Sequence, residues 1–145
     1  MKEGIHMIKE AKISDYDIIS DIMQGSNDKL LDDDAKIIRE ALTNYSKVLY
    51  IDYENEIPVA FAQCTLKEDD QLNQIGYLEQ IHIKKNYKNK GIDKRLLSKC
   101  EEWAKEKGCN KFTASCSIDD TQKLDLYNYS GFSEINKVAY FSKNI

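Results

Sequence analysis

Residues 76–108 carry the feature that most constrains the fold: an alternating apolar run, a short polar loop, one glycine, then a long amphipathic stretch. The near-alternation over Gly76–Ile83 predicts a β-strand. Lys84–Lys90 is polar and ends at Gly91. From Ile92 to Lys107, Leu96, Leu97, Cys100, Trp103 and Ala104 fall on one helical face, and Gly108 stands where a glycine commonly ends a helix. Trp103 lies on that stripe and is read as core. A strand that passes through a glycine turn into a helix is the physical form of an anion site. The first helical turn has unpaired N–H groups and a partial positive charge, and glycine lets the backbone approach a phosphate. Lys85, Lys88 and Lys90 add charge at that end. The same spacing also fits a solvated basic loop before an ordinary helix, and it leaves both readings open.

The remaining pattern surrounds this unit. Met7–Ala11 reads as a short strand after a frayed lead-in at Met1–His6. Ser14 is a candidate N-cap with Asp17 three residues on, and Ile18, Ile19, Ile22 and Met23 follow at helical spacing. A second helix is expected over Asp33–Tyr45, with Ile37, Ile38, Ala41 and Leu42 inside. Val48–Asp52 and Pro58–Leu66 read as strands joined by a turn at Glu54-Asn55. Lys67–Gln74 reads as a loop. Phe112–Ser115 is a short strand, Thr121–Ser130 a helix stopped by Gly131, and Ser133–Phe141 one or two closing strands. Helices first, then a meander, then strand–helix alternation implies a mixed α/β domain. With no repeat or linker, residues 1–145 are expected to form one domain.

Composition excludes several functions. The net charge is −4, which argues against a nucleic-acid partner. Lys outnumbers Arg by 19 to 2, so a phosphate site would rest on backbone N–H groups and Lys point charges. Cys64, Cys100, Cys109 and Cys116 form no CxxC pair, and His6 and His82 are the only histidines. That spacing holds no metal site. Buried free thiols and a reducing, cytoplasmic setting are expected. No apolar run reaches the roughly 20 residues that span a bilayer, and the N-terminus lacks a secretory pattern.

The stretch GYLEQIHIKKNYKNKGIDKRLL resembles the acetyl-CoA motif of the GCN5-related N-acetyltransferase (GNAT) superfamily. In the family loop, Arg/Gln-x-x-Gly-x-Gly/Ala, Lys88 fills the first position, Gly91 the fourth and Asp93 the sixth. A second block, Leu126-Tyr127-Asn128-Tyr129-Ser130-Gly131-Phe132, is similar to the family's LYExxGF helix end. Three stretches resemble the aminoglycoside 6′-N-acetyltransferase branch: Tyr77–Ile81, Glu102–Lys105 and Lys137–Lys143. The resemblance implies a GNAT fold with a mostly antiparallel sheet of six to seven strands and about four helices.

It also implies roles. Ile81, His82 and Ile83 would pair through their backbone with the pantetheine arm of acetyl-CoA. The segment Lys88, Asn89, Lys90, Gly91, Ile92 and Asp93 would face the pyrophosphate, and Asp120 would help to hold the cofactor. Glu79 would accept a proton from the substrate amine, and Tyr127 would protonate the leaving thiolate. Direct attack in a ternary complex, without a metal, is the expected mechanism, with positioning and a backbone oxyanion donor supplying most of the catalysis. A homodimer is expected, with Tyr140 near the contact and Tyr140 and Phe141 on opposite faces of a closing strand. His82 alternates out of phase with Glu79, Tyr77, Ile81 and Ile83 and reads as a surface histidine.

The chain departs from the pattern in places. Asp93 puts a carboxylate where the family has Gly or Ala, either repelling the diphosphate or turning toward the helix N-terminus. Ser115 stands where the branch has an acidic residue. Asp119 and Asp120 are candidate replacements, and Asp32, Asp33 and Asp34 are further candidate acceptors for a polycation. The branch's early-helix tryptophan has no counterpart. An acetyltransferase for a polyamine or peptide, or a GNAT-fold binding module without catalysis, therefore stands beside an aminoglycoside acetyltransferase.

Overall fold

The computed structural model describes residues 4–25, 34–133 and 136–145, with residues 34 and 35 described by their backbone alone. Two compact units divide the chain, Met1–Ser115 and Cys116–Ile145.

The first unit is built on a sheet of five strands in the order β1-β2-β3-β4-β5. These are β1 (His6–Glu10), β2 (Lys47–Glu54), β3 (Ile57–Glu68), β4 (Gln74–Ile83) and β5 (Phe112–Ala114). Pairing is antiparallel from β1 to β4 and parallel between β4 and β5. The unit also holds the helices α1 (Tyr16–Gly25), α2 (Asp34–Thr43) and α3 (Ile92–Glu106). The second unit contains α4 (Thr121–Tyr129).

The expected six to seven strands are corrected to five among the described residues. The difference falls at the C-terminal end. Residues 136–145 adopt no strand and are exposed, and residues 134 and 135 lie outside the described residues. Alternation over Ser133–Phe141 gave a strand pattern, but pattern alone supplies no neighbouring edge to pair with.

Local chemistry explains most element boundaries. The chain enters α1 through a 3₁₀ turn at Ile13–Asp15, and the Asp15 carboxylate accepts the Lys12 N–H at 2.8 Å. The start signal is thus Lys12–Asp15 rather than Ser14–Asp17. Asn55 and Glu56 have φ of 50° and 71°, the left-handed pair that a two-residue hairpin with the sheet's own twist requires. The β3–β4 loop closes on Asp69, whose carboxylate accepts the N–H groups of Gln71 and Asn73 at 2.9 Å each. Those bonds, the Asn73 N–H above all, hold the Asp69 carboxyl below its ordinary pKa.

Each face of the sheet carries helices. Ile19, Ile22 and Met23 of α1 and Ile38 and Ala41 of α2 cluster with Leu49, Ile51 and Phe61 of the sheet. Full burial stabilises each large member by about 1.5–3 kcal/mol. Ile37, expected inside, is exposed, because the inner stripe of α2 narrows to Ile38, Ala41 and the flanking Leu42. On the other face α3 buries Ile92, Leu96, Leu97, Cys100, Trp103 and Ala104. Its close approach to β4 depends on Gly76, where a Cβ would stand 2.7 Å from Ala104 Cβ and 3.1 Å from Phe112 Cδ2. Cys64, Cys100, Cys109 and Cys116 are free thiols, the first three buried, and burial pushes the Cys64 and Cys109 thiols above their ordinary pKa.

Candidate active site

The register between β3 and β4 shifts in the middle of the sheet. Ala62 stands opposite Ile81 and Gln63 opposite Gln80, but Cys64 stands opposite Leu78. Glu79 is therefore the extra residue of a β-bulge. Directly paired residues share a face. Leu78 lies on the Cys64 side, where α3 packs. Beyond the bulge Gln80 lies on the Gln63 side and His82 on the Phe61 side, the side covered by α1 and α2.

The bulge corrects the expected phase. Glu79 does not share a face with Ile81 and Ile83. It joins Gln80 and His82. His82 is half-buried, and its ring stacks on Phe61 at a centroid distance of 5.2 Å. An uninterrupted alternation would have turned Gln80 and His82 toward α3.

Three donors from two strands, β2 and β3, converge on the Glu79 carboxylate. Thr65 Oγ1 donates to Oε1 at 2.5 Å, and Lys47 Nζ reaches the same oxygen at 3.5 Å. Gln63 Nε2 donates to Oε2 at 3.1 Å. Gln63 is fully buried, so its amide oxygen also needs a partner. Gln80 Nε2 donates to it at 2.6 Å. Gln80 Oε1 then lies 3.0 Å from His82 Nε2, and since an amide oxygen only accepts, His82 is the donor. The bonds run one way, from His82 through Gln80 and Gln63 to Glu79. Aligned in a low-dielectric interior, such a chain polarises toward the carboxylate.

The sheet opens beside this carboxylate. β4 pairs with β5 only at Gly76–Leu78 opposite Phe112–Ala114. Among the described residues no strand pairs with that edge of β4 from Glu79 to Ile83. At the splay, Tyr77 Oη and Ser115 Oγ are hydrogen-bonded at 2.8 Å, and Lys67 Nζ sits 3.7 Å from the centre of the Tyr77 ring.

The open edge leads into the glycine turn. The Lys84 N–H closes the ladder on the Val59 carbonyl at 2.9 Å, and a 3₁₀ turn follows at Lys85–Tyr87. Lys88 is extended, Asn89 has φ 63° and Gly91 has φ 80°. Turns of this kind present backbone N–H groups to an anion. A Cβ on Gly91 would meet nothing within 4 Å, so this position demands glycine for its backbone and not for space. Ile92 is buried and pins the first turn of α3, while the N–H groups of Ile92 and Asp93 precede any i−4 carbonyl of the helix. Asp93 Oδ1 accepts the Lys94 N–H at 2.8 Å. The carboxylate is thus turned back on its own helix terminus, the favourable one of the two expected placements.

Asp119, Asp120 and Tyr127 belong to the second unit. Asp120 is the N-cap of α4, with Oδ1 accepting the Lys123 N–H at 3.1 Å. Asp119 is exposed, and its N–H donates to Ser117 Oγ at 3.2 Å. The Tyr127 ring meets Phe132 edge-on at 5.4 Å, and the Phe132 N–H bonds the Tyr127 carbonyl at 3.0 Å. Asp32 and Asp33 lie outside the described residues, and Asp34 is described only as the first residue of α2.

Sequence reasoning missed Lys47, Gln63, Thr65 and Gln80. One signal was available: Gln63 interrupts the apolar run Val59–Cys64, and a polar side chain inside a central strand must find a buried partner. Among the described residues no group of three or more His, Cys, Asp or Glu could hold a metal, and no helix is long and apolar enough to cross a membrane.

Known proteins share this architecture. An aminoglycoside N(6′)-acetyltransferase type 1 of Acinetobacter baumannii is 23% identical over 147 residues, which covers 98% of this chain and 99% of that protein. A second, from Acinetobacter genomosp. 13, is 32% identical over 75 residues, about half of each chain (52% and 51%). The solved structure of AAC(6′)-Iy in complex with the bisubstrate analog CoA-S-monomethyl-acetylneamine superposes with a TM-score of 0.85 at 18% identity, covering 97% of this chain and 99% of that one. The profile described as "Acetyltransferase (GNAT) family" matches residues 15–132. With the bulged strand, the open edge and the glycine turn in place, that match settles membership: this chain is a member of the GNAT family of acetyltransferases.

Proposed function

We propose that the protein transfers the acetyl group of acetyl-CoA to a primary amine, the 6′-amine of an aminoglycoside, by direct attack within a ternary complex. One observation carries this reading: a carboxylate gathered by three donors beside an unpaired strand edge that runs into a glycine-opened helix N-terminus. The A. baumannii relative, which bears an aminoglycoside N(6′)-acetyltransferase name and aligns over nearly its whole length, supports the substrate.

In this reading the backbone of Ile81, His82 and Ile83 bonds the pantetheine amides as an added strand. The turn Lys88–Asp93 holds the pyrophosphate through backbone N–H groups and Lys charge. Glu79 takes a proton from the substrate ammonium, directly or through water. The amine nitrogen then bonds the acetyl carbon as the C–S bond breaks, Tyr127 gives its proton to the departing thiolate, and the surplus proton on the new amide nitrogen passes through water to restore the Tyr127 hydroxyl. Strand N–H groups beside the thioester oxygen stabilise the charge that develops there. Ser115, Asp119 and Asp120 are assigned to substrate and cofactor contacts, on one folded domain. Exposed Tyr140 and Phe141 support a homodimer, and the buried free thiols suit a reducing, cytoplasmic setting.

A second substrate reading draws on the cations Lys47 and Lys67 near Glu79 and Tyr77. Positive charge there favours an amine with oxygen-rich neighbours over a dense polycation. The test is thiol release from acetyl-CoA with kanamycin, tobramycin, spermidine and peptides. Turnover with the aminoglycosides is the expected result. Turnover with polyamines or peptides alone would overturn the aminoglycoside assignment, and no calorimetric heat with acetyl-CoA would overturn the enzyme.

A further inference from the structure

A second polar cluster lies on the opposite side of the sheet from Glu79 and contributes nothing to the chemistry above. Asp52 of β2 is fully buried. Arg95 Nη2 donates to its Oδ2 at 2.7 Å and to His6 Nδ1 of β1 at 2.7 Å. An arginine only donates, so His6 accepts at Nδ1 and turns Nε2 toward Glu54 Oε1 at 3.5 Å. Arg95 thereby ties α3 to two strands at once.

Three observations say what this tie is for. Arg95 stands one turn into α3, and its own N–H bonds the Gly91 carbonyl at 3.3 Å. One residue thus grips both the glycine turn and the sheet. The cluster is also incomplete, since Asp52 Oδ1 and Arg95 Nε are buried without a hydrogen-bond partner. Asp52 is fully buried while the Arg95 side chain is 34% exposed, and the desolvation of the carboxylate offsets much of the attraction, so what the pair chiefly supplies is fixed geometry. Finally, arginine is one of only two in a chain with 19 lysines. Both bonds leave one nitrogen, Nη2, whose two N–H groups are fixed in the guanidinium plane, whereas a lysine ammonium rotates on its stem and acts as a point charge that fixes no such arrangement.

We propose that Arg95, clamped by Asp52 and His6, is a positioning residue that sets the first turn of α3 against the sheet so that the N–H groups of Asn89–Asp93 meet the diphosphate of the cofactor. The inference rests on the reading of that turn as the diphosphate site. Arg95 touches no reacting atom and acts through the backbone of Gly91.

The test measures calorimetric affinity for CoA, and the KM and kcat of acetyl transfer, in the full chain. Arg95→Lys is expected to weaken CoA binding and raise the KM for acetyl-CoA by about tenfold, the low end of what removing a support behind a ligand-holding group costs, with kcat and the amine KM unchanged. His6→Ala removes the acceptor from an edge strand and is expected to act in the same direction. His6→Gln, which offers an oxygen in its place, is expected to restore affinity. Unchanged CoA affinity in both Arg95→Lys and His6→Ala overturns the proposal, as does equal loss in His6→Ala and His6→Gln. A fall in kcat with CoA affinity intact also overturns it. Absence of CoA binding by the unmodified protein overturns the diphosphate reading itself, and with it the proposal.

Discussion

The two halves of β4 are built from opposite materials. From Gln74 to Leu78 the strand pairs with β3, and from Gly76 to Leu78 with β5 as well, and α3 lies so close that only glycine fits at position 76. From Glu79 to Ile83 no strand among the described residues pairs with one edge, and the face toward α1 and α2 carries Glu79, Gln80 and His82 in a row hydrogen-bonded through Gln63 of β3. A single extra residue separates the halves. The first half stores stability in close packing, and the second has given up part of its ladder to present a carboxylate. Stability and chemistry are thereby divided within ten residues of one strand.

That division can be broken by substitutions on either side. With Glu79 as the proton acceptor, Glu79→Gln is expected to lower kcat by about 10²–10³-fold while CoA affinity, read by calorimetry, stays within about twofold, since the proposed cofactor contacts are made by backbone groups and by Lys charge away from Glu79. Loss of CoA binding in this variant would make Glu79 structural and erase the contrast. On the other side, Gly76→Ala forces its Cβ against Ala104 and is expected to cost about 1–3 kcal/mol in urea unfolding, with kcat retained in the folded fraction. A normal unfolding midpoint would mean that α3 can move away at little cost.

Smaller effects sharpen the boundary. Gln63→Leu cuts the donor chain and leaves Gln80 without its acceptor, at an expected cost of about 1–3 kcal/mol. It should also lower kcat more than it raises the KM for acetyl-CoA. A change confined to the KM for acetyl-CoA would detach the chain from Glu79. Asp93→Gly is expected to change CoA affinity by less than about threefold, because the carboxylate already serves the Lys94 N–H and its interaction with the helix terminus amounts to about 0.3–1 kcal/mol. A tenfold tightening would show that repulsion of the diphosphate outweighs that contact.

Much of this was legible in the residues. The apolar stripe of α3, the glycine at 91, the hairpin at Asn55 and the strands β2 to β4 follow from periodicity and turn chemistry, which act over a few residues. The carboxylate at 79 was legible through its motif. Its surroundings were not. Thr65, Gln63, Gln80 and Lys47 come from three strands, and their meeting is fixed by pairing register, which a linear pattern does not carry. The bulge is the sharper case. Alternation from Tyr77 to Ile83 falters only at Leu78–Gln80; read as continuous it misses the inserted residue, which reverses the face of everything beyond it, and His82 then reads as a surface residue. The strand pattern over Ser133–Phe141 fails for a related reason: alternation describes a chain able to pair and names no partner, and residues 136–145 adopt no strand.

The unpaired edge of β4 has one more consequence. Free strand edges are where chains recruit other chains, and proteins ordinarily guard them with charge, proline or cover. Among the described residues no strand pairs with this edge from Glu79 to Ile83, which runs half-buried into the glycine turn, with Ile81 and Ile83 on it. If acetyl-CoA lies along this edge, it acts as a guard as well as a reagent. Protein stored without it would associate sooner at high concentration, and cofactor supply would govern how long the enzyme stays monodisperse as well as how fast it turns over.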